Sequence, residues 1–250
     1  MPLELLEQAS TWLDDITPSL DARAEPIVWM GFLEGPEIGA DSHGDSSSES
    51  RQVFLLNTLV FADTDAEAQR LLEPLLRTPF QDEVIERIAV KTSFKELFDF
   101  QRVLYKKGRR YAVDCHWTDT PPAGQPLQHL QRQMQDAPSP RTHVLRQLPF
   151  GNYRQAQPDM AASILGRYFV SVYAVWEDEV EDARNIAWLR DTLEPFETMS
   201  TGHYAGDVDL TARADRAERT FTGERWSRYL KLKKAWDPDS LFHLHLGPDE

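Results

Sequence analysis

Short apolar runs with strand character alternate with amphipathic helical segments along this chain, and the spacing between the runs is irregular. The clearest runs cover residues 27–33, 53–62, 111–117, 142–150 and 167–176. A doubly wound parallel sheet needs crossover helices at regular intervals between its strands, and these intervals do not fit that arrangement. The pattern instead predicts an α+β fold, an antiparallel sheet with helices packed on one face, followed by a C-terminal helical segment.

Two pairs of segments are predicted to be antiparallel neighbours. Residues 27–33 and 53–62 flank a polar, Gly- and Ser-rich stretch at 35–52, which predicts a mobile loop. Strands around Leu104 and Val113 flank a turn at Lys107 and Gly108. A further strand is predicted at 84–90.

Helical periodicity is clear in several segments between these strands. It predicts helices near residues 3–16, 63–76, 94–100, 127–135 and 177–195, and Ser93 is positioned to cap the third. A last helix is predicted to end before Asp237 and Pro238, because proline cannot continue a helix. The large apolar residues of this helix are expected to face inward: Trp226, Tyr229, Leu230 and Trp236. The turn at Asp237 and Pro238, called the corner below, is expected to place Leu241 and Phe242 in apolar surroundings.

Charge and composition exclude several classes of function. Forty-one acidic residues stand against 27 basic ones, giving a net charge of -14, which argues against a nucleic-acid partner. The first residues lack the basic and apolar regions of a signal peptide, and no apolar run is long enough for a membrane span, so we expect a cytoplasmic protein without a membrane partner. The single cysteine, Cys115, excludes a disulfide framework and is expected to be a buried, inert thiol.

Individual residues with chemical potential are few, because the sequence contains no GxGxxG, Walker, HExxH or GxSxG motif. His243 and His245 are spaced to share a metal on a strand, but a half-buried terminal strand explains them more simply, and we expect no metal site. His116, at a strand end, is a candidate substrate-binding residue. Arg146 and Arg167 lie in strand contexts and need partners, either an ion pair or a bound anion.

The last third of the chain carries the most specific pattern. Residues 221–242, "FTGERWSRYLKLKKAWDPDSLF", follow the stretch "NIAWLRDTLEPFETMSTGHY" at 185–204. Both resemble the C-terminal part of the berberine bridge enzyme type of FAD-linked oxidases, within the vanillyl-alcohol oxidase superfamily. The similarity extends from about Leu6 to Leu246.

This resemblance implies a substrate-binding domain at 1–200 and a berberine-bridge-enzyme-like C-terminal segment at 201–250. It implies FAD as the cofactor, held mainly by an FAD-binding domain on another chain, and a small organic substrate oxidised by hydride transfer to the flavin. Tyr204 and Gly206 are expected near the flavin, and Tyr204, Arg167 and His116 near the substrate. An exposed apolar patch where the missing domain docks is expected around Trp226, Tyr229 and Trp236.

One departure from the family pattern leaves the function open. Gly206 stands where the family has an asparagine at the flavin, so a side-chain amide is missing. The alternative is a module that binds a small ligand, or serves a structural role, without flavin. A cofactor-independent enzyme would need an acid–base constellation that the sequence does not show. The general base of the oxidase cannot be placed from the sequence.

Overall fold

The computed structural model describes residues 1–33, 51–84, 90–121, 123–147, 161, 164, 166–239 and 241. The predicted strand at 84–90 and the histidines His243 and His245 therefore lie largely or wholly outside the described residues. The same is true of the predicted loop at 35–52 apart from its last two residues. Arg51 and Gln52 already belong to a strand, so the loop prediction is too long at that end.

Six strands form one sheet, and every described pair of neighbouring strands is antiparallel. The strands are β1 (Ala24–Leu33), β2 (Arg51–Val60), β3 (Arg110–Thr118), β4 (His143–Gln147), β5 (Tyr168–Trp176) and β6 (Ser200–Gly202). Their order across the sheet is β2-β1-β4-β5-β3-β6. The α+β prediction is confirmed.

The predicted strand pairs have different outcomes. β1 and β2 pair over their full length, from Ala24 opposite Val60 to Leu33 opposite Arg51, as predicted. The strand predicted around Leu104 is wrong, because Leu104 is the last residue of a helix. Its sequence has both apolar periodicity and a capping box at Ser93 and Glu96, and the capping box favours the helix.

Six α-helices accompany the sheet. They are α1 (Leu6–Ile16), α2 (Asp65–Leu76), α3 (Phe94–Leu104), α4 (Gln125–Gln135), α5 (Asp182–Glu197) and α6 (Gly223–Trp236). The helix predicted to stop at Pro195 runs two residues further, to Glu197. Among the described residues, no helix is both long enough and apolar enough to cross a membrane.

The main core lies between one face of the sheet and helices α1, α4 and α5. Alternate residues of β5 enter it, as do the apolar stripes of the three helices: Tyr168, Val170, Val172, Ala174 and Trp176 from β5, with Leu6 and Leu13, Leu130 and Met134, and Leu189 and Phe196 from the helices. Full burial of each such side chain contributes about 1.5–3 kcal/mol. We call this side of the sheet the helix face, and the opposite side the second face.

Arg146 shows how a charge is accommodated in this core. Its side chain on β4 is fully buried, and its Nη2 atom donates to both carboxylate oxygens of Asp14 on α1, at 2.7 and 3.0 Å. The guanidinium also lies over the Tyr168 ring, 5.4 Å from its centroid. The ion-pair interpretation of Arg146 is therefore confirmed.

The C-terminal helix differs from the prediction. No described residue of α6 is buried, and Trp236 is 81% exposed, so the inward placement of its large residues is wrong. The rings of Phe221, Trp226 and Tyr229 stack on one another, 5.2–5.8 Å apart, instead of entering the core. Stacking among these three rings accounts for the helical spacing of Trp226 and Tyr229.

The corner after α6 does end the helix, as predicted. The Asp237 carboxylate accepts a hydrogen bond from the Leu241 backbone N–H at 2.7 Å, which closes the turn. Leu241 itself is 78% exposed, so it is not seated in apolar surroundings. Phe242 lies outside the described residues.

Candidate functional site

The second face of the sheet carries a different set of side chains from the helix face. Because side chains alternate along a strand, the residues of β5 between those of the core point to this side. Phe169, Ser171 and Tyr173 of β5 lie next to Cys115 and Trp117 of β3 in this layer. Residues 204–207, in the segment that follows β6, cross the same face.

A tyrosine, a serine and a carboxylate meet on the second face. The Tyr173 hydroxyl donates to Asp207 Oδ2 at 2.7 Å, and the Ser171 hydroxyl donates to the same oxygen at 3.1 Å. Burial, together with the nearby Asp207 charge, raises the pKa of Tyr173 well above its ordinary value. Tyr173 therefore keeps its phenolic proton, which it donates in the hydrogen bond to Asp207. We call Ser171, Tyr173 and Asp207 the tyrosine–aspartate cluster.

Aromatic rings surround this cluster on one side. The His143 ring on β4 stacks on Tyr173, with centroids 4.8 Å apart and planes inclined by 9°. Trp29 of β1 in turn stacks on the His143 ring, with centroids 5.9 Å apart. Tyr105, just after α3, packs edge-on against Tyr173 at 5.7 Å. Four rings from different parts of the chain therefore form one aromatic wall.

His143 is neutral in this wall. Burial lowers its pKa from the ordinary 6.5 to about 4, although a hydrogen bond with the Arg141 carbonyl partly offsets this. That carbonyl can only accept, so Nδ1 carries the proton, at 3.4 Å from the carbonyl oxygen. The unprotonated Nε2 is buried and has no hydrogen-bond partner among the described residues.

Two of the predicted site residues lie beside the cluster. The Tyr204 ring, 49% exposed, packs edge-on against Phe169 on the second face. Gly206 lies directly below that ring, because a Cβ at this position would come within 2.7 Å of the Tyr204 ring. A larger residue at 206 requires the Tyr204 side chain to move.

His116 lies on the opposite side of the sheet from Tyr204. Its side chain is fully buried on the helix face, and neither ring nitrogen has a hydrogen-bond partner in the described part of the chain. Burial, with His203, Arg216 and Arg219 nearby, lowers its pKa to about 2. A neutral, enclosed imidazole on this face does not share a surface with Tyr204.

Arg167 is also separate from the cluster. Its guanidinium lies over the Tyr168 ring, 5.4 Å from the centroid, at the point where β5 begins. Tyr168 belongs to the core on the helix face. The four predicted residues therefore do not converge, and only Tyr204 and Gly206 lie together near the tyrosine–aspartate cluster.

Buried charges fix the segment that carries Asp207. Arg216 forms ion pairs with Asp114 of β3 and Glu197 of α5, and both Arg216 and Asp114 are almost fully buried. Asp114 also accepts the backbone N–H of Asp209 at 3.0 Å and that of Cys115 at 2.8 Å. The segment from 203 to 216 is thus tied to β3 from the helix side of the sheet, which positions Asp207 on the other side.

Cys115 belongs to this scaffold. It is fully buried, and its Sγ accepts the Tyr204 backbone N–H at 3.3 Å. Burial raises the pKa of the thiol, so the protonated form is strongly favoured. This agrees with the predicted inert thiol.

The described residues offer no metal site but do offer aromatic surface for a flavin ring. Within the described ranges, no group of three or more histidine, cysteine or carboxylate residues could hold a metal ion. Half-buried Trp29 and Tyr173 and exposed Tyr105 and Tyr204 suit contact with a planar ring on the second face. The described part of the sheet is antiparallel and offers no glycine-rich strand-to-helix turn for a pyrophosphate, so these residues fit a flavin ring but not a whole dinucleotide.

Comparison with known proteins relates the chain to FAD-linked oxidoreductases. No family model matches the chain. The FAD-linked oxidoreductase nodO of Hypoxylon pulicicidum is 23% identical over 239 residues, which cover 96% of this chain and 49% of that protein. The FAD-linked oxidoreductase penO of Penicillium crustosum is 24% identical over 238 residues, covering 95% and 49%. The chain spans about half the length of these relatives.

Solved structures show the same fold. The 6-hydroxy-D-nicotine oxidase from Arthrobacter nicotinovorans matches with a TM-score of 0.67 at 14% identity, over 98% of this chain and 51% of that one. Berberine bridge enzyme from Eschscholzia californica matches with a TM-score of 0.64 at 13% identity, over 96% and 52%. The fold is therefore that of one half of the berberine-bridge-enzyme type of oxidase. The chain is similar to the FAD-linked oxidoreductases over about half of their length, consistent with the predicted C-terminal portion.

Proposed function

We propose that this chain is the substrate-binding half of an FAD-dependent oxidoreductase, and that a separate FAD-binding domain supplies the cofactor. The substrate, a small organic molecule, binds on the second face between the tyrosine–aspartate cluster and the partner domain. We further propose the division into a substrate-binding domain at 1–200 and a C-terminal segment at 201–250. The half-length match to FAD-linked oxidoreductases supports the need for a partner.

The tyrosine–aspartate cluster is the observation that carries this proposal. A carboxylate with two hydroxyl donors lies among aromatic rings, on the face that the core helices leave uncovered. Perturbed acid–base groups of this kind concentrate at functional sites. The cluster also supplies the acid–base constellation that the sequence did not reveal.

The chemistry divides between the flavin and this chain. Bound FAD supplies the acceptor for a hydride that leaves a substrate carbon. Asp207 accepts the proton that the substrate heteroatom loses as its carbon is oxidised. Tyr173 and Ser171 hold the Asp207 carboxylate in place through their hydroxyl groups, and Trp29, Tyr105 and Tyr204 provide apolar surface that keeps water from the substrate.

Gly206 favours a second candidate function. The packing of Gly206 under Tyr204 leaves no room for a side-chain amide at that position unless the ring moves. A module that binds a small aromatic ligand on the second face without flavin does not need that amide. In this alternative the tyrosine–aspartate cluster only binds the ligand.

Production of the chain together with the FAD-binding half of a relative tests the proposal. The tagged chain is purified alone and after co-production with the unmatched half of the Hypoxylon pulicicidum protein, and flavin absorbance is measured in each eluate. We expect a colourless chain alone and a yellow complex after co-production. A chain that binds flavin by itself contradicts the division of labour, and a chain that never retains the second half favours the flavin-free alternative.

The predicted cytoplasmic location is a separate proposal. Fractionation of cells that express the tagged chain checks it, with a secreted or membrane-bound chain as the contrary result.

A further inference from the structure

Strand β2 forms one edge of the sheet, and the chain's own first residues already pair with its outer side. The Met1 amino group donates to the Phe54 carbonyl at 3.1 Å, and the Phe54 N–H donates to the Met1 carbonyl at 3.0 Å. Pro2 is the antiparallel partner of Val53. Met1 and Pro2 therefore occupy this edge as an isolated antiparallel bridge, and the chain turns away from it at Leu3.

The direction of the Phe54 backbone groups determines which residues further along β2 face outward. In an antiparallel ladder the N–H and C=O of alternate residues point to the same side. Leu56, Thr58 and Val60 therefore present theirs to the outer side, as Phe54 does. Pro26 is the β1 partner of Thr58 and has no N–H, which agrees with this alternation. No described residue hydrogen-bonds with these outward groups.

This part of β2 lacks the features that usually protect a strand edge. Natural edges carry lysine, proline or bulges, or are covered. Residues 53–62 contain no charged residue and no proline, and the pairing with β1 runs without a register shift. Leu55 and Leu59 are also exposed on the second face, and Phe61 beyond the strand is 65% exposed. The edge has the properties of a surface that another strand covers.

We propose that the outer edge of β2 from Leu56 to Val60 receives an extended strand from the polypeptide that supplies the FAD-binding half. This rests on the proposed function, since that function requires such a partner. Met1 sets the direction and register, because a segment that ends beside or joins Met1 runs antiparallel to β2, starting opposite Val60 and ending opposite Phe54. Main-chain hydrogen bonds provide the affinity, and residues opposite Leu55 and Leu59 provide apolar contact.

A short extension of alternating threonine and valine ahead of Met1 serves as a probe. Amide hydrogen exchange at Leu56, Thr58 and Val60 is followed by NMR, with and without the extension. We expect exchange at these amides to slow by about tenfold or more when the strand pairs. Thr58→Pro removes only an outward N–H and is tolerated on an edge, so it should abolish the slowing at Leu56 and Val60. Thr58→Val keeps the N–H and should retain it.

The same two variants test the partner itself. In the co-produced complex, Thr58→Pro should weaken retention of the FAD-binding half by about tenfold, whereas Thr58→Val should not. Unchanged exchange with the extension, or equal retention by the two variants, overturns the proposal. If these amides in the unextended chain exchange more slowly as the protein concentration rises, the proposal is also overturned, because a second copy of the chain then pairs with the edge. The exchange measurement needs no flavin, so its failure is distinct from failure of the proposed function.

Discussion

His116 and His143 are both buried histidines with strongly lowered pKa values, and they lie on opposite faces of the same sheet. His116 is enclosed on the helix face beside the Arg216 ion pairs. His143 is in the aromatic wall of the second face, stacked on Tyr173. Burial and a perturbed pKa alone therefore do not mark a site, and the face of the sheet decides which histidine lies near reactive groups.

The two faces also use carboxylates differently. On the helix face Asp114 is almost fully buried, and the Arg216 guanidinium neutralises its charge in an ion pair that holds the fold together. On the second face Asp207 is half-buried, and among the described residues its side chain accepts hydrogen bonds from the uncharged hydroxyl groups of Ser171 and Tyr173, so no cation neutralises it there. The buried charge of the helix face stabilises the fold, whereas in the proposed function the Asp207 charge of the second face takes part in the chemistry.

Removal of Arg216 gives the largest expected effect on the helix face. Arg216→Met leaves the buried Asp114 carboxylate and Glu197 without their shared partner, and should lower the free energy of unfolding by about 3–5 kcal/mol. Urea denaturation measures this. Arg184→Ala is the matched control, because Arg184 pairs with Glu181 at the surface, away from the Arg216 ion pairs, and it should cost about 0–1 kcal/mol. Equal losses in the two variants would contradict the buried cluster.

Asp207→Asn gives the largest expected effect on the second face. The amide keeps the shape but cannot take a proton, so turnover by the co-produced complex should fall by about 100-fold or more. Steady-state kinetics with a substrate that reduces the bound flavin measures this. His116→Leu is the control and should leave turnover nearly unchanged. The reverse pattern would move the site to the helix face.

Acidification should destabilise the protein through both histidines. Their folded pKa values, about 4 for His143 and about 2 for His116, lie below the ordinary 6.5. The unfolded chain therefore binds more protons below pH 6.5, and stability is lost as the pH falls through this window, by up to ~1.4 kcal/mol per pH unit for each group. Unfolding measured from pH 7 to about 4 should show a shallower slope in His143→Phe than in the unmodified chain; equal slopes would contradict a neutral His143.

His116→Leu gives a smaller effect, with the opposite sign. Both ring nitrogens of His116 are buried without a hydrogen-bond partner among the described residues. Replacement by an apolar side chain removes that desolvation cost and should raise the free energy of unfolding by about 1 kcal/mol. Thermal denaturation measures the change. A loss of several kcal/mol would mean that the imidazole has a structural partner.

The fold was predictable from the sequence because its periods are clear. The apolar run of β5 and the helical stripe of α5 each carry an unambiguous signal, and the capping residue Ser93 identifies its helix. α6 was misjudged because Trp226 and Tyr229 have helical spacing whether they pack inward or, as here, on each other and Phe221.

The candidate site was less predictable for a physical reason. His116 was expected at the substrate, but alternation along β3 places it with Asp114, and both sets of β3 residues mix polar and apolar types. Asp207 is one of many acids in this chain, and only the meeting of β5 with the segment after β6 brings it to Tyr173. Tyr204, three residues earlier, was the available signal for that segment.

Radical footprinting of the co-produced complex tests the central claim most directly. Oxidation of the exposed second-face residues Tyr105, Tyr111 and Tyr204 is compared with that of Trp12 and His129 on the helix side, in the free chain and in the complex. We predict that the three tyrosines become protected in the complex while Trp12 and His129 stay unchanged. Protection of Trp12 and His129 without the tyrosines would show that the flavin partner binds the wrong side of the sheet for this account.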